Sequence, residues 1–152
     1  MNILFICNGN VCRSPLAAAL LKKKFKENNI PGDVASAGFE SYNINEPPDP
    51  DTQEIAKSHD LDLENVASIF RKKDFKKFDK IYVMDTRNYR DVKDLTRNDE
   101  ERAKVDYLMN VIEPGKNMIV PDPYFSGEID MEGVYDLLDK VTDKLVEFSR
   151  VK

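Results

Sequence analysis

Residues that hold metals and disulfides are scarce in this chain. Its 152 residues include one histidine, His59, and two cysteines, Cys7 and Cys12. One histidine supplies a zinc site badly, so no metal or other cofactor is expected. Two cysteines cannot build a disulfide framework, and both are expected as thiols in a reducing compartment. No apolar stretch approaches membrane-spanning length. Met1-Asn2 leads straight into the first apolar run, with no basic leader and no cleavage-site pattern. The expectation is a cytoplasmic protein away from the membrane. No repeat, linker or low-complexity segment divides the sequence, which predicts one domain over residues 1–152. Excess positive charge is missing too, the formal net charge being -5. Nucleic acids and anionic membranes are bound by basic faces, so neither is expected as a partner. Any bound anion has to be held by local donors.

What is present is an ordinary water-soluble balance, 41% hydrophobic and 34% charged residues. Asn2–Ile6 and Lys80–Met84 read as strands buried on both faces. Val34–Ala37 is a short strand ended by Gly38, and Val105–Val111 a further strand. Between them lie helical patterns. One starts at Ser14-Pro15, with Ser14 as N-cap and Pro15 at the first helical position. Asp51–His59 and Thr86–Arg97 follow, and Val134, Leu137, Leu138, Val141, Leu145 and Phe148 mark a C-terminal amphipathic helix. Lys22, Lys23, Lys24 and Lys26 form a solvated face. Ser41–Pro50 is a loop, and Glu113–Gly127 is a Pro/Gly-rich loop long enough to hint at function. Buried strands alternating with helices predict an α/β fold, a parallel sheet with helix layers on both sides. Ligands of such sheets sit beyond the carboxyl ends of the strands, where Cys7 and Asp85 fall.

After the first strand stands CNGNVCRSP, Cys7 to Pro15. A loop between a strand end and a helix start points N–H groups at a common centre, and the helix dipole adds positive charge there. Gly9 permits conformations that other residues resist, and Asn10 tolerates a left-handed one. Asn8, Gly9, Asn10, Val11, Cys12, Arg13 and Ser14 thus make a candidate phosphate cradle. Arg13 offers a planar fork matched to two phosphate oxygens. Cys7, at the base, is expected to be held as a thiolate aimed at phosphorus. Ser14 can donate a hydrogen bond to that sulfur. Cys-x5-Arg alone is a weak pattern, because lone cysteines are mostly core residues. The surrounding glycine, asparagine, Ser-Pro, strand and helix strengthen it. Gly-Lys-Ser/Thr, Gly-x-Gly-x-x-Gly and Cys-x-x-Cys are all missing, which excludes the nucleotide P-loop, the dinucleotide fingerprint and the thioredoxin motif.

CNGNVCRSP resembles the signature of the low-molecular-weight protein tyrosine phosphatases, and the resemblance continues through SAGF, NEPPDPD, KKFDKIYVMDTRN and PDPYF. It implies a four-stranded parallel sheet in three αβα layers, with the phosphate-binding loop after the first strand. It also implies metal-free hydrolysis of phosphotyrosine monoesters through a phosphocysteine on Cys7. The expected partner is a phosphotyrosine-containing protein, a tyrosine kinase among the candidates, met by a monomer. By itself Asp122, in Pro121-Asp122-Pro123, reads as a turn aspartate. The resemblance makes it the general acid and later the base. Tyr124 and Phe125 then wall the cleft, with Phe125 where relatives usually have a second Tyr. Tyr42 and Asn43 match a variable loop on the opposite rim, although an exposed loop tyrosine would look the same. Asp85 either caps the following helix or braces the cradle.

Other departures from the family pattern are Asn8 for Leu, Asn65 near a position where some members carry His, and Ser68-Ile69 for Arg-Gln. His59 reads as a packing residue. Three relatives compete. An arsenate reductase needs a later cysteine, and none follows Cys12. A protein arginine phosphatase carries Thr where Val11 stands, so this cradle is expected to prefer phosphotyrosine. A redox-sensing or silent phosphate-binding module would lack Cys7 or Asp122. Cys12 is expected to close a reversible disulfide with oxidised Cys7, provided that the curled loop brings the two sulfurs together.

Overall fold

The computed structural model describes residues 1–40, 44–63, 67–124, 127 and 129–150. Its strands are β1 (Ile3–Ile6), β2 (Val34–Ala37), β3 (Lys80–Val83) and β4 (Val105–Tyr107). They form one parallel sheet in the order β2-β1-β3-β4, with Ile3 opposite Val34 on one side and Lys80 on the other. Helices α1 (Arg13–Glu27), α2 (Pro50–Ser58) and α6 (Met131–Arg150) accompany α3 (Asp74–Lys77), α4 (Thr86–Leu95) and α5 (Asp99–Lys104).

Strand alternation divides the core into two layers. Ile3 and Phe5 of β1 face Leu16, Leu20 and Leu21 of α1 and Val134, Leu138 and Val141 of α6. Leu4 and Ile6 face the other way, onto Phe70, Phe75, Phe78 and Val92. That is why β1 is apolar at every position. Each layer buries its own half of the strand, at roughly 25 cal/mol per Å² of apolar area removed from water. The chain leaves β1 toward β2 and later crosses to β3 on the opposite side. The crevice between the carboxyl ends of β1 and β3 is therefore where the strand order reverses.

Several local expectations need correction. Ser14 is not an N-cap. Helix α1 begins at Arg13 with Cys12 in the cap position and no side-chain cap bond, because the Ser14 hydroxyl is engaged within the preceding loop. Only Val105–Tyr107 of the Val105–Val111 run is strand, and Leu108–Val111 winds into a 3-10 turn that buries Leu108, Met109 and Val111. Gly9 is not among the glycines with positive φ. The left-handed residue of the loop is Asn10, at φ 57°. Lys24 does not simply face water. Its ammonium lies 2.7 Å from Asp139 Oδ1 and 2.9 Å from Asp143 Oδ1, tying α1 to α6. Among the described residues, no helix is long and apolar enough to cross a membrane.

Candidate active site

The loop leaving β1 folds over its own sulfur. Ser14 Oγ lies 2.9 Å from Cys7 Sγ, and the Ser14 N–H donates to that sulfur at 3.4 Å. Asn10 Nδ2 donates to Ser14 Oγ at 2.8 Å, leaving the serine proton to point at the sulfur. Asn10 is itself held on two further sides. Its amide also donates to Ser36 Oγ of β2 at 2.8 Å, and its Oδ1 accepts from Ser68 N at 3.0 Å. Cys7, Asn10, Arg13 and Ser14 are all buried. Among the described residues, the N–H groups of Gly9, Val11, Cys12 and Arg13 meet no protein acceptor. In a loop beside one buried sulfur, such donors can hold a tetrahedral anion.

Gly38 supports this curl from beneath. A Cβ there would stand 2.8 Å from the Asn8 carbonyl oxygen and 2.9 Å from Asn10 N, so the loop can approach β2 only over glycine. Phe39 N donates to the same Asn8 carbonyl at 2.8 Å. Sequence reasoning saw Gly38 only as a strand terminator and did not assign Ser36. The one available signal was SAG at the end of an edge strand.

Arg13 is aimed by two groups. One terminal nitrogen donates to Asp85 Oδ2 at 3.0 Å and to the Val120 carbonyl at 2.8 Å. The other lies 3.8 Å from Asp122 Oδ2. Asp85 does both jobs that its position suggested. While Oδ2 holds Arg13, Oδ1 accepts from Asn88 N at 2.9 Å and caps α4. Asp122 Oδ1 accepts from Tyr124 N at 2.9 Å, a turn that fixes the carboxyl group. Tyr124 is half exposed, and its phenol reaches α2, 2.7 Å from Asp49 Oδ1 and 3.1 Å from Asp51 Oδ2. Partial burial and these carboxylates push the phenol above its ordinary pKa, so it keeps its proton.

Cys12 sits behind the loop with its sulfur 3.9 Å from Met131 Sδ, and burial pushes its thiol up to about 12. His59 stacks on Tyr135 at 3.8 Å and bonds Glu132, linking α2 to α6 away from Cys7 and Arg13. Thus Cys7, Asn8, Gly9, Asn10, Val11 and Cys12 form one loop that runs into Arg13 and Ser14 at the start of α1, and Asp122 is brought to Arg13. Tyr42, Asn43, Asn65 and Phe125 lie outside the described residues.

Comparison with known proteins agrees with this fold. Residues 2–152 match the family model for low molecular weight phosphotyrosine protein phosphatase. The human protein of that name is 38% identical over 140 residues, spanning 88% of this chain and 86% of its own. YfkJ from Bacillus subtilis superposes with a TM-score of 0.89 at 27% identity, over 99% of this chain and 94% of that one. A variant of the YwlE arginine phosphatase, with its active-site serine phosphorylated, gives 0.89 at 26% identity over 100% and 97%. The chain belongs to the low molecular weight phosphotyrosine protein phosphatase family and is a phosphoric monoester hydrolase.

Proposed function

We propose that the chain hydrolyses phosphotyrosine in proteins, with Cys7 as nucleophile, Arg13 as phosphate clamp and Asp122 as acid and base. The observation that carries this reading is the buried Cys7 sulfur, 2.9 Å from Ser14 Oγ, in the loop whose Arg13 stands 3.8 Å from Asp122. The Cys7 thiolate attacks phosphorus while the loop N–H groups and the Arg13 fork hold the equatorial oxygens. The bond from phosphorus to the phenolic oxygen breaks, and Asp122 gives that oxygen its proton. Water then attacks the phosphocysteine and yields its proton to Asp122, and the sulfur leaves as a thiolate eased by the Ser14 hydroxyl. Inorganic phosphate departs. Thiolate, guanidinium and carboxyl supply every charge that the steps require, so the reaction needs no metal. The phosphorylated active-site serine of the YwlE variant supports a covalent intermediate at the corresponding side chain. The substrate is a phosphotyrosine protein met in the cytoplasm by a monomer.

The second reading, phosphoarginine hydrolysis, is favoured by the likeness to YwlE and to the Drosophila arginine phosphatase. Val11, in the loop, has no hydroxyl to offer a guanidinium, which supports phosphotyrosine as the first reading. The test is hydrolysis of aryl phosphates in excess chelator. Cys7→Ser should abolish it. Asp122→Asn should lose about 100-fold on leaving groups of high pKa and far less on good ones. Full activity in Cys7→Ser would remove the nucleophile assignment, and equal losses on both leaving-group classes would remove the acid assignment.

A further inference from the structure

Tyr124 makes two contacts at once. Its N–H holds Asp122 Oδ1 at 2.9 Å, and its phenol donates to Asp49 Oδ1 at 2.7 Å, with Asp51 Oδ2 3.1 Å away. Asp49 is fixed from the other side, its N–H donating to the Val11 carbonyl at 2.9 Å. Three contacts therefore run from the Cys7 loop through Asp49 and Tyr124 to Asp122.

Capping alone does not explain Asp49. Its Oδ1 accepts from Thr52 N at 2.9 Å at the start of α2, but serine would cap as well with a side chain too short to meet the phenol. Its Oδ2 is buried and meets no hydrogen-bond partner among the described residues, an unfavourable position for a carboxylate oxygen. A second role, contact with the Tyr124 phenol, accounts for a side chain longer than serine.

We infer that Asp49, with Asp51 beside it, latches the Asp122 segment to the Cys7 loop through the Tyr124 phenol, and so sets where Asp122 meets the leaving group. Asp49 and Asp51 are positioning residues and touch no substrate. The inference rests on the acid role given above to Asp122. Because the latch ties acid to nucleophile rather than to substrate, its loss acts on proton delivery and falls on kcat more than on KM. Displacing a reacting group by about 1 Å can lower the rate by about 100-fold. The Tyr124 N–H contact survives loss of the phenol, so about tenfold is expected.

The experiment measures kcat and KM over aryl phosphates of rising leaving-group pKa, for wild type, Tyr124→Phe, Asp49→Ser, their double variant, Asp49→Asn and Asp122→Asn. Phe keeps the ring. Ser keeps a helix cap but cannot reach the phenol, and Asn keeps both cap and acceptor. Tyr124→Phe and Asp49→Ser should each lose about tenfold in kcat on the poorest leaving groups and much less on the best. The double variant should be no worse than either single one, and Asp49→Asn should stay near wild type. Thermal melts check folding, and if Asp49→Ser fails to fold, Tyr124→Phe at a half-exposed position decides. Wild-type leaving-group dependence in Tyr124→Phe and Asp49→Ser, alongside a steepened one in Asp122→Asn, overturns the latch. So does a loss spread equally over all leaving groups, or additive losses in the double variant. A flat response in Asp122→Asn instead brings down the acid role, and the latch with it.

Discussion

Arg13 and Asp85 are joined by a 3.0 Å ion pair in which the arginine side chain is 4% exposed. The same aspartate starts α4 through its other oxygen. Substitutions should separate the two duties. Asp85→Asn keeps an acceptor for Asn88 N but removes the charge that aims Arg13, and kcat/KM should fall about tenfold. Asp85→Ala should lose at least as much activity and a further ~1 kcal/mol of stability from the missing cap. Arg13→Lys should nearly abolish turnover, since an ammonium cannot reproduce the fork. Steady-state kinetics and denaturant unfolding check both.

Gly38→Ala should damage the cradle without touching a reacting group. The new Cβ would fall 2.8 Å from the Asn8 carbonyl oxygen, where backbone has to give way. A destabilisation of about 1–3 kcal/mol is expected from such overpacking. Activity should fall more than the folded fraction explains, which unfolding curves and kcat/KM on one aryl phosphate will compare.

Val11→Thr should shift substrate choice. The side chains are nearly the same shape, and Val11 is partly exposed in the loop. The added hydroxyl should raise kcat/KM for phosphoarginine relative to phosphotyrosine, by about tenfold for one new hydrogen bond of about 1.5 kcal/mol. An unchanged ratio would move specificity to the rims.

Cys12 should rescue oxidised Cys7, with a pH dependence of known sign. The step is attack of the Cys12 thiolate on a Cys7 sulfenic acid, forming the disulfide and releasing hydroxide. Only the thiolate attacks, and a thiol raised to about 12 is almost wholly protonated at neutral pH. Its thiolate fraction rises about tenfold per pH unit below that value, so closure should quicken by about 100-fold between pH 7 and 9. Peroxide pulses at each pH, followed by a dithiol reductant, measure it. Wild type should recover and Cys12→Ser should not. Equal recovery would leave Cys12 as a packing residue beside Met131.

How much of this was readable from the residues depends on how far apart the contacts lie. Ile3–Ile6 and Ile81–Val83 announced themselves because both faces of each strand are buried and no charged residue interrupts the run. Cys7, Arg13 and Ser14 were legible because one short loop carries them all. Helices α3 and α5 escaped notice, since four and six residues hold too little periodicity to register. Leu108–Val111 looked like strand because it is apolar except at Asn110, yet burial is equally met by a 3-10 turn. The Ser14 cap was misjudged because local propensity yielded to a tertiary bond with Cys7. Asp122 stood out only through resemblance, and the hold of Asp49 on Tyr124 joins positions that no sequence period connects.

The parallel sheet also governs when the reactive sulfur acquires its surrounding donors. Ile3 pairs with Val34 and with Lys80, and β1 is covered by α6 from the far end of the chain. Helix α1 is near in sequence, but both strands that pair with β1 are distant from it. Loop-closure entropy must therefore be met before those contacts reward it, and folding of this topology is slow relative to a helical bundle. Throughout that interval Cys7 is exposed and lacks its surrounding donors. Refolding should thus show catalysis appearing in a single late phase.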